Sequence, residues 1–182
     1  MQATRPDDAA LVARAREGDT QAFEELVRAH TRAVFGHAVR FFGSPDPAED
    51  VVQEVFIKVY RSIGSFDGAA SFSTWLYRVT RNTCLDMLRS GKHRPTPVDP
   101  TSVSLTSPGD LADEVALSAS VEAAMASLAP EDRDALNAVT LFGLSYAEAA
   151  EALGVPAGTV KSRVFRARRI LASQLGLEGG GS

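Results

Sequence analysis

The chain has 182 residues, of which 45% are hydrophobic and 23% charged, the mix of one folded domain or two small ones. No apolar run approaches the ~20 residues that span a bilayer, and the N-terminal MQATRPDDAALVARAREGD carries acids where a secretion signal needs an apolar stretch, so a cytoplasmic protein is expected. The net charge of −4 argues against a nucleic-acid partner only until it is broken down along the chain.

Four helices are predicted before residue 94. Asp7 can cap a short helix over residues 8–17 that Gly18 ends. Asp19 can cap the next, running to about Phe42, with Phe23, Leu26, Val27, Val34, Phe35, Ala38 and Phe41 at a period near 3.6. Gly43 and Pro45 stop it. Asp46 before Pro47 reads as a cap with proline at the first helical position, opening a third helix with Val51, Val52, Val55, Phe56, Val59 and Ile63 on one side. After a loop with Gly64, Asp67 and Gly68, Ser71 can cap a fourth helix to about Ser90. Its expected buried stripe is Phe72, Trp75 or Leu76, Val79, Leu85 and Leu88. His30 and His37 are seven apart on one face, and a histidine pair alone reads as satisfied helix surface rather than a metal site. The single cysteine, Cys84, excludes an internal disulfide or a multi-cysteine zinc cluster and reads as a small hydrophobe; no metal or cofactor is expected.

The segment PTPVDPTSVSLTSPGD, residues 95–110, holds four prolines and six Ser/Thr and breaks the helical pattern. Residues 95–130 contain five acids and no Lys or Arg, so the region 95–115 is expected to be a flexible acidic linker. A helix is predicted over 111–128. Pro130-Glu131-Asp132 opens another through Phe142, with Gly143 as its stop. Ser145-Tyr146-Ala147-Glu148 is a capping box, and Gly154-Val155-Pro156 turns the chain into a last helix from about Ala157 to Leu175. From Gly158 to Ala172 this helix has five cations and no acid. The glycine-rich residues 176–182 are expected to be a disordered tail.

A short helix and a longer basic one around a tight turn form a helix-turn-helix pattern. Its second helix can enter a major groove. Thr159, Lys161, Ser162, Arg163, Phe165, Arg166 and Arg168 are the candidate readers of duplex DNA, with Val160, Val164, Ala167 and Leu171 facing inward. In the fourth helix and the loop before it, Phe66, Gly68, Phe72, Trp75, Arg78, Arg81 and Asn82 set aromatic rings beside cations. That combination suits single-stranded DNA, rings stacking on bases and guanidinium groups meeting phosphates. Asp50, Gln53, Glu54 and Lys58 recur at helical spacing on the polar face of the third helix.

The run GLSYAEAAEALGVPAGTVKSRVFRAR (143–168) resembles the promoter-reading region of bacterial sigma factors of the extracytoplasmic-function (ECF) group. PAEDVVQEVFIKVYRSI (47–63) resembles that family's polymerase-binding helix, FSTWLYRVTRNTCLDMLR (72–89) its −10-element helix, and SLAPEDRDALNAVTLFGLSY (127–146) the start of its second domain. The resemblance implies an all-α chain of two small helical domains, 1–94 and 116–175, joined by the Pro/Ser/Thr-rich linker. It implies a protein without catalytic chemistry that binds core RNA polymerase, reads promoter DNA and helps open it. An anti-sigma protein is the further partner it implies. By that resemblance Asp50, Gln53, Glu54 and Lys58 meet polymerase, the loop 64–71 with Asn82 receives one unstacked −10 base, and the last helix reads the −35 element. Two positions depart from the pattern: Asp67 puts an acid in the base-receiving loop, and Lys161 stands where many relatives carry arginine. The competing possibility is a stand-alone helix-turn-helix regulator on an operator. It needs a sensory constellation in the first half, and none is readable there.

Overall fold

A computed structural model describes residues 8–93 and 120–177; Asp7, the linker 95–115 and residues 178–182 lie outside that range. All regular structure among the described residues is helical, in two groups. The first holds α1 (Asp8–Arg16), α2 (Thr20–Phe42), α3 (Asp46–Ser62), a 3-10 turn (Ile63–Ser65) and α4 (Phe72–Arg89). The second holds α5 (residues 120–126), α6 (Pro130–Thr140), α7 (Tyr146–Leu153) and α8 (Ala157–Gln174).

The helix ends follow local chemistry. The Asp19 carboxylate accepts the N–H groups of Gln21 and Ala22 at 3.0 and 3.1 Å, and these bonds, with the Arg14 guanidinium, hold it below the usual carboxylate range. Gly43 ends α2 at φ +71°, a backbone that favours glycine, and donates its N–H to the Val39 carbonyl. Ser71 caps α4 through the Thr74 N–H. The Ser145/Glu148 capping box closes in both directions, at 3.1 and 2.8 Å. The third helix starts one residue earlier than expected. Asp46 is its first residue and Pro45 takes the cap position, and the Ser44 hydroxyl accepts the Asp46 N–H at 3.3 Å.

Two buried stripes differ from the expected ones, for the same reason. In α2 the core line runs through Ala22, Leu26, His30, Val34, His37, Ala38 and Phe42, which makes both histidines interior rather than surface residues. His30 is satisfied there by Asp8, 3.0 Å away. In α4 the line runs through Ser73, Leu76, Tyr77, Thr80 and Cys84, while Val79, Leu85 and Leu88 stay half-buried. Thr80 and Thr83 donate their hydroxyls to the carbonyls of Leu76 and Val79, both at 2.8 Å. Polar side chains whose hydrogen bonds are met inside the helix can occupy a core that a hydrophobicity pattern assigns to their apolar neighbours. Burial pushes the Cys84 thiol up to about 12, which keeps it protonated and agrees with its reading as a small hydrophobe.

The helical groups do not stand apart. Tyr77 of α4 and His37 of α2 pack edge-on against Phe142, which follows α6, with ring centroids 5.2 and 6.0 Å away. Leu141 lies over Gly36 of α2. The Tyr77 hydroxyl donates to the Asp134 carbonyl at 3.1 Å, and Arg40 donates to the Asn137 side chain at 3.0 Å. The cores of both groups thereby run into one another.

Candidate nucleic-acid and polymerase interfaces

Helix α7, the turn at Gly154 (φ +67°) and α8 form the expected helix-turn-helix. Val160, Val164 and Ala167 seat α8 against α6 and α7, a small-residue stripe that allows close packing. The opposite side of α8 exposes Lys161, Ser162, Phe165, Arg166, Arg168 and Arg169, while Thr159 and Arg163 are half-buried at its edge. Phe165 is 65% exposed, a large ring left in water among cations. Tyr146 joins Lys161, Phe165 and Arg168 along one shallow concavity. Among the described residues Lys161, Arg163, Arg168 and Arg169 have no acid partner. Arg166 does have one. Its Nε and Nη2 donate to the two Asp132 oxygens at 2.6 and 2.5 Å, and that carboxylate is buried in the first turn of α6. The pairing raises the Arg166 pKa further and occupies the fork through which an arginine grips a guanine. Ser162 likewise turns its hydroxyl onto the Gly158 carbonyl of its own helix.

The face of α4 is built differently. Phe72 is core, Trp75 and Phe66 are half-buried, and the three rings touch, with Phe66–Trp75 centroids 5.0 Å apart. Gly68 turns the loop at φ +73°. Phe66, Trp75 and Arg78 line a concavity beside Asp67 and Ala69, and Asn82 is exposed one turn beyond Arg78. Three polar groups at this face meet acids of the other helical group. Ser71 donates to Glu148 at 2.8 Å, Arg78 to Glu151 at 2.8 Å and Arg81 to Asp134 at 2.9 Å.

On α3, Asp50, Gln53 and Glu54 are exposed and Lys58 half-buried, as an opposite face to Val51, Val55 and Val59 requires. Lys58 donates to Thr83 at 3.2 Å and lies 3.8 and 3.7 Å from Glu54 and Asp86. Ile57, 44% exposed, sits within the same concave patch.

These faces can be set beside known proteins. Residues 26–94 match the profile of Sigma-70 region 2, and residues 118–171 that of Sigma-70, region 4. The chain is 37% identical over 182 residues to the RNA polymerase sigma-H factor of Pseudomonas aeruginosa, covering 92% of this chain and 93% of that one. The chain belongs to the sigma-70 family. It is 38% identical to the ECF RNA polymerase sigma factor SigM of Mycobacterium tuberculosis, over 93% of this chain and 85% of SigM. Its fold matches CnrH, solved in complex with the cytosolic domain of CnrY, at a TM-score of 0.68 and 28% identity over 94% of this chain and 99% of that one. It also matches the sigma factor RpoE of Bartonella quintana, solved with the anti-sigma factor NepR, at 0.67 and 25% over 86% and 98%. Both halves of the chain carry the family's regions, so this is an ECF-type sigma factor rather than a regulator built on a helix-turn-helix alone.

Several residues that shape the sigma factor's DNA-facing surfaces carried little or no sequence signal of their partners. Asp132, Asp134 and Glu151 look like ordinary surface acids in a charged stretch. Glu148 announced itself only through its capping box. Arg40 is 97 residues from its partner Asn137, and only the fold brings them together. The exception is Asp132: an acid in a first helical turn favours that place on the dipole, so its location was predictable though its partner was not. No group of three or more His, Cys, Asp or Glu side chains among the described residues is arranged to hold a metal ion, and no helix there is long and apolar enough to cross a membrane.

Proposed function

We propose that this sigma factor divides its work among three faces. Asp50, Gln53, Glu54 and Lys58 of α3 bind core RNA polymerase. Phe66, Gly68, Trp75, Arg78, Arg81 and Asn82 bind the unstacked strand of the −10 element, with Phe72 beneath them. Thr159, Lys161, Ser162, Arg163, Phe165, Arg166 and Arg168 bind the −35 duplex. Promoter DNA and core polymerase are its partners, and an anti-sigma protein holds it inactive, as NepR does in name for the Bartonella protein. The protein is cytoplasmic and makes or breaks no covalent bond itself. Residues 1–94 act as the first domain and 116–175 as the second, with 95–115 the tether and 176–182 a tail.

The observation that carries this assignment is the exposed side of α8 in a helix-turn-helix, where Lys161, Arg168 and Arg169 have no acid partner among the described residues and give affinity for phosphate. Along that helix the roles differ. Lys161 and Phe165 are free to meet base edges, Arg168 is free to meet phosphate, and Arg166 contributes the edge of its guanidinium that Asp132 leaves unused. Phe72 supports the strand-binding rings from below, with Trp75 and Phe66 as the accessible stacking surfaces. Run-off transcription by core polymerase on promoter fragments, with and without the protein, tests the whole assignment. Transcripts that appear only with the protein support it. Equal transcription in both arms contradicts it.

A further inference from the structure

Arg166 differs from its neighbours on α8. Lys161, Arg168 and Arg169 have no acid partner among the described residues, whereas Arg166 is held by Asp132 of α6. The two ends of that pair stand in different surroundings: the Asp132 side chain keeps 2% of its surface in water and the Arg166 side chain 55%. The carboxylate commits both oxygens to one guanidinium, Oδ2 accepting from Nε at 2.6 Å and Oδ1 from Nη2 at 2.5 Å. A buried carboxylate needs a counter-charge, and a single contact from any nearby cation supplies one. A two-point grip does more, because it fixes the plane and direction of the guanidinium as well as its charge.

The grip leaves part of that guanidinium unused. Of its five N–H groups, Asp132 takes one on Nε and one on Nη2. The others lie at the far end of the plane, where Nη1 and Nη2 make a second donor fork. Such a fork matches the O6 and N7 acceptors of guanine. Arg166 lines the shallow concavity that it shares with Tyr146, Lys161 and Phe165, on the exposed side of α8. Asp132 stands behind it, on a helix that packs against the buried side of α8.

We propose that Asp132 is a positioning residue for sequence reading: from outside the helix-turn-helix it aims the free fork of Arg166 at a guanine edge of the −35 duplex, and so sets a base preference that α8 alone does not contain. This rests on the reading of α8 as the helix that enters the groove.

Pinning changes what an arginine can do. A free arginine bends to phosphates and base edges alike, and ordering its long side chain on DNA costs rotamer entropy. Arg166 is already ordered before DNA arrives, so less is lost on binding. A fixed fork also cannot swing away from adenine, which presents the N6 donor where guanine presents the O6 acceptor. General affinity for phosphate is left to Lys161, Arg168 and Arg169, and Arg166 makes a choice among bases.

The test is a selection. The full chain is mixed with a pool of short duplexes whose central base pairs are randomised, and the bound duplexes are sequenced over several rounds. Wild type should enrich guanine about tenfold over the other bases at one position, and Arg166→Ala should erase that preference. Asp132→Asn keeps the shape of the side chain but removes the charged two-point grip. It should cut the same preference to about twofold and leave the positions read by Lys161 and Phe165 as they are in wild type. Loss of stability alone lowers binding to all duplexes together and moves no single position. Arg166→Lys is the second variant: its ammonium still neutralises the buried carboxylate, so the fold is kept, but it presents no fork and should lose the same preference. On the selected duplex, replacing that one guanine by 7-deazaguanine, which lacks the N7 acceptor, should weaken wild type about tenfold and Asp132→Asn roughly twofold or less.

A guanine preference lost in Arg166→Ala but kept in both Asp132→Asn and Arg166→Lys would overturn the positioning role and leave the groove reading of α8 intact. Preferences that fall together at all positions in Asp132→Asn, or a profile that Arg166→Ala does not alter, would do the same. A wild-type chain that binds the pool but selects no sequence would overturn the reading of α8 as the groove helix, and this inference with it.

Discussion

Helices α4 and α8 are made of similar parts and are found in opposite states. Each sets arginines beside aromatic rings on one side and packs its other side into the core. On α8, Lys161, Arg168 and Arg169 face water with Phe165 among them. On α4, Arg78 and Arg81 are paired with Glu151 and Asp134 of the second domain, and the neighbouring Ser71 with Glu148. A basic aromatic face in a sequence therefore gives the kind of partner but not its availability. Availability depends on what the rest of the chain packs against that face, and here the occupant comes from more than 50 residues away in sequence.

The largest break in this comparison comes from Phe142→Ala. Phe142 is fully buried where the two domains meet, and truncating such a ring costs about 3–5 kcal/mol. Chemical denaturation should show a loss of that size, and the second domain should release α4. If stability is unchanged, the two cores are not energetically joined.

A second pair of variants sharpens the α8 side. Lys161→Ala should weaken binding to a −35 duplex roughly tenfold while leaving the melting temperature near wild type, since the side chain is exposed and unpaired. Arg166→Ala should lower both binding and melting temperature, because it strands the buried Asp132 carboxylate. Equal melting temperatures in the two variants would remove the structural role assigned to Arg166.

These two positions also show how much was legible beforehand. The helices, the Ser71, Ser145 and Gly154 signals, and the basic side of α8 follow from periodicity and capping rules that act within a few residues. Lys161 and Arg166 look alike at that range. What separates them is Asp132, 34 residues away, and no local rule reports a partner at that separation. The stripes of α2 and α4 were displaced for a related reason. His30, Thr80 and Thr83 are polar by composition but satisfied in place, by Asp8 or by their own helix, so they serve as core.

His37 gives a smaller effect that depends on pH. It is fully buried, neither ring nitrogen has a hydrogen-bond partner among the described residues, and burial pushes its pKa from the ordinary 6.5 down to about 4. Asp134 opposes that shift, and Arg81, Arg133 and Arg40 add to it. A depressed histidine favours the packed state fully above pH 6.5 and loses that contribution as the pH falls from 6.5 toward about 4. Near pH 5.5 the loss should be about 1 kcal/mol. His37→Leu should flatten this dependence in denaturation curves taken across that range, and an unaltered slope would place its origin elsewhere.

The smallest effect concerns α3, whose polar face is open like that of α8 but acidic. Asp50→Lys or Glu54→Lys should reduce affinity for core polymerase roughly threefold to fivefold in competition against another sigma factor, without changing the fold. Unchanged competition would return this face to the ordinary solvated surface of a helix.

The covered state of α4 is most directly measured as a distance. Cysteines introduced at the exposed positions Glu25 and Ala157 can carry spin labels, one in each domain, in a Cys84→Ala background that removes the buried native thiol. Double electron–electron resonance on the free protein should give one narrow distance distribution, replaced by a longer one when core polymerase is added. A broad distribution in the free protein, unchanged by core polymerase, would mean that the second domain does not hold the α4 face closed.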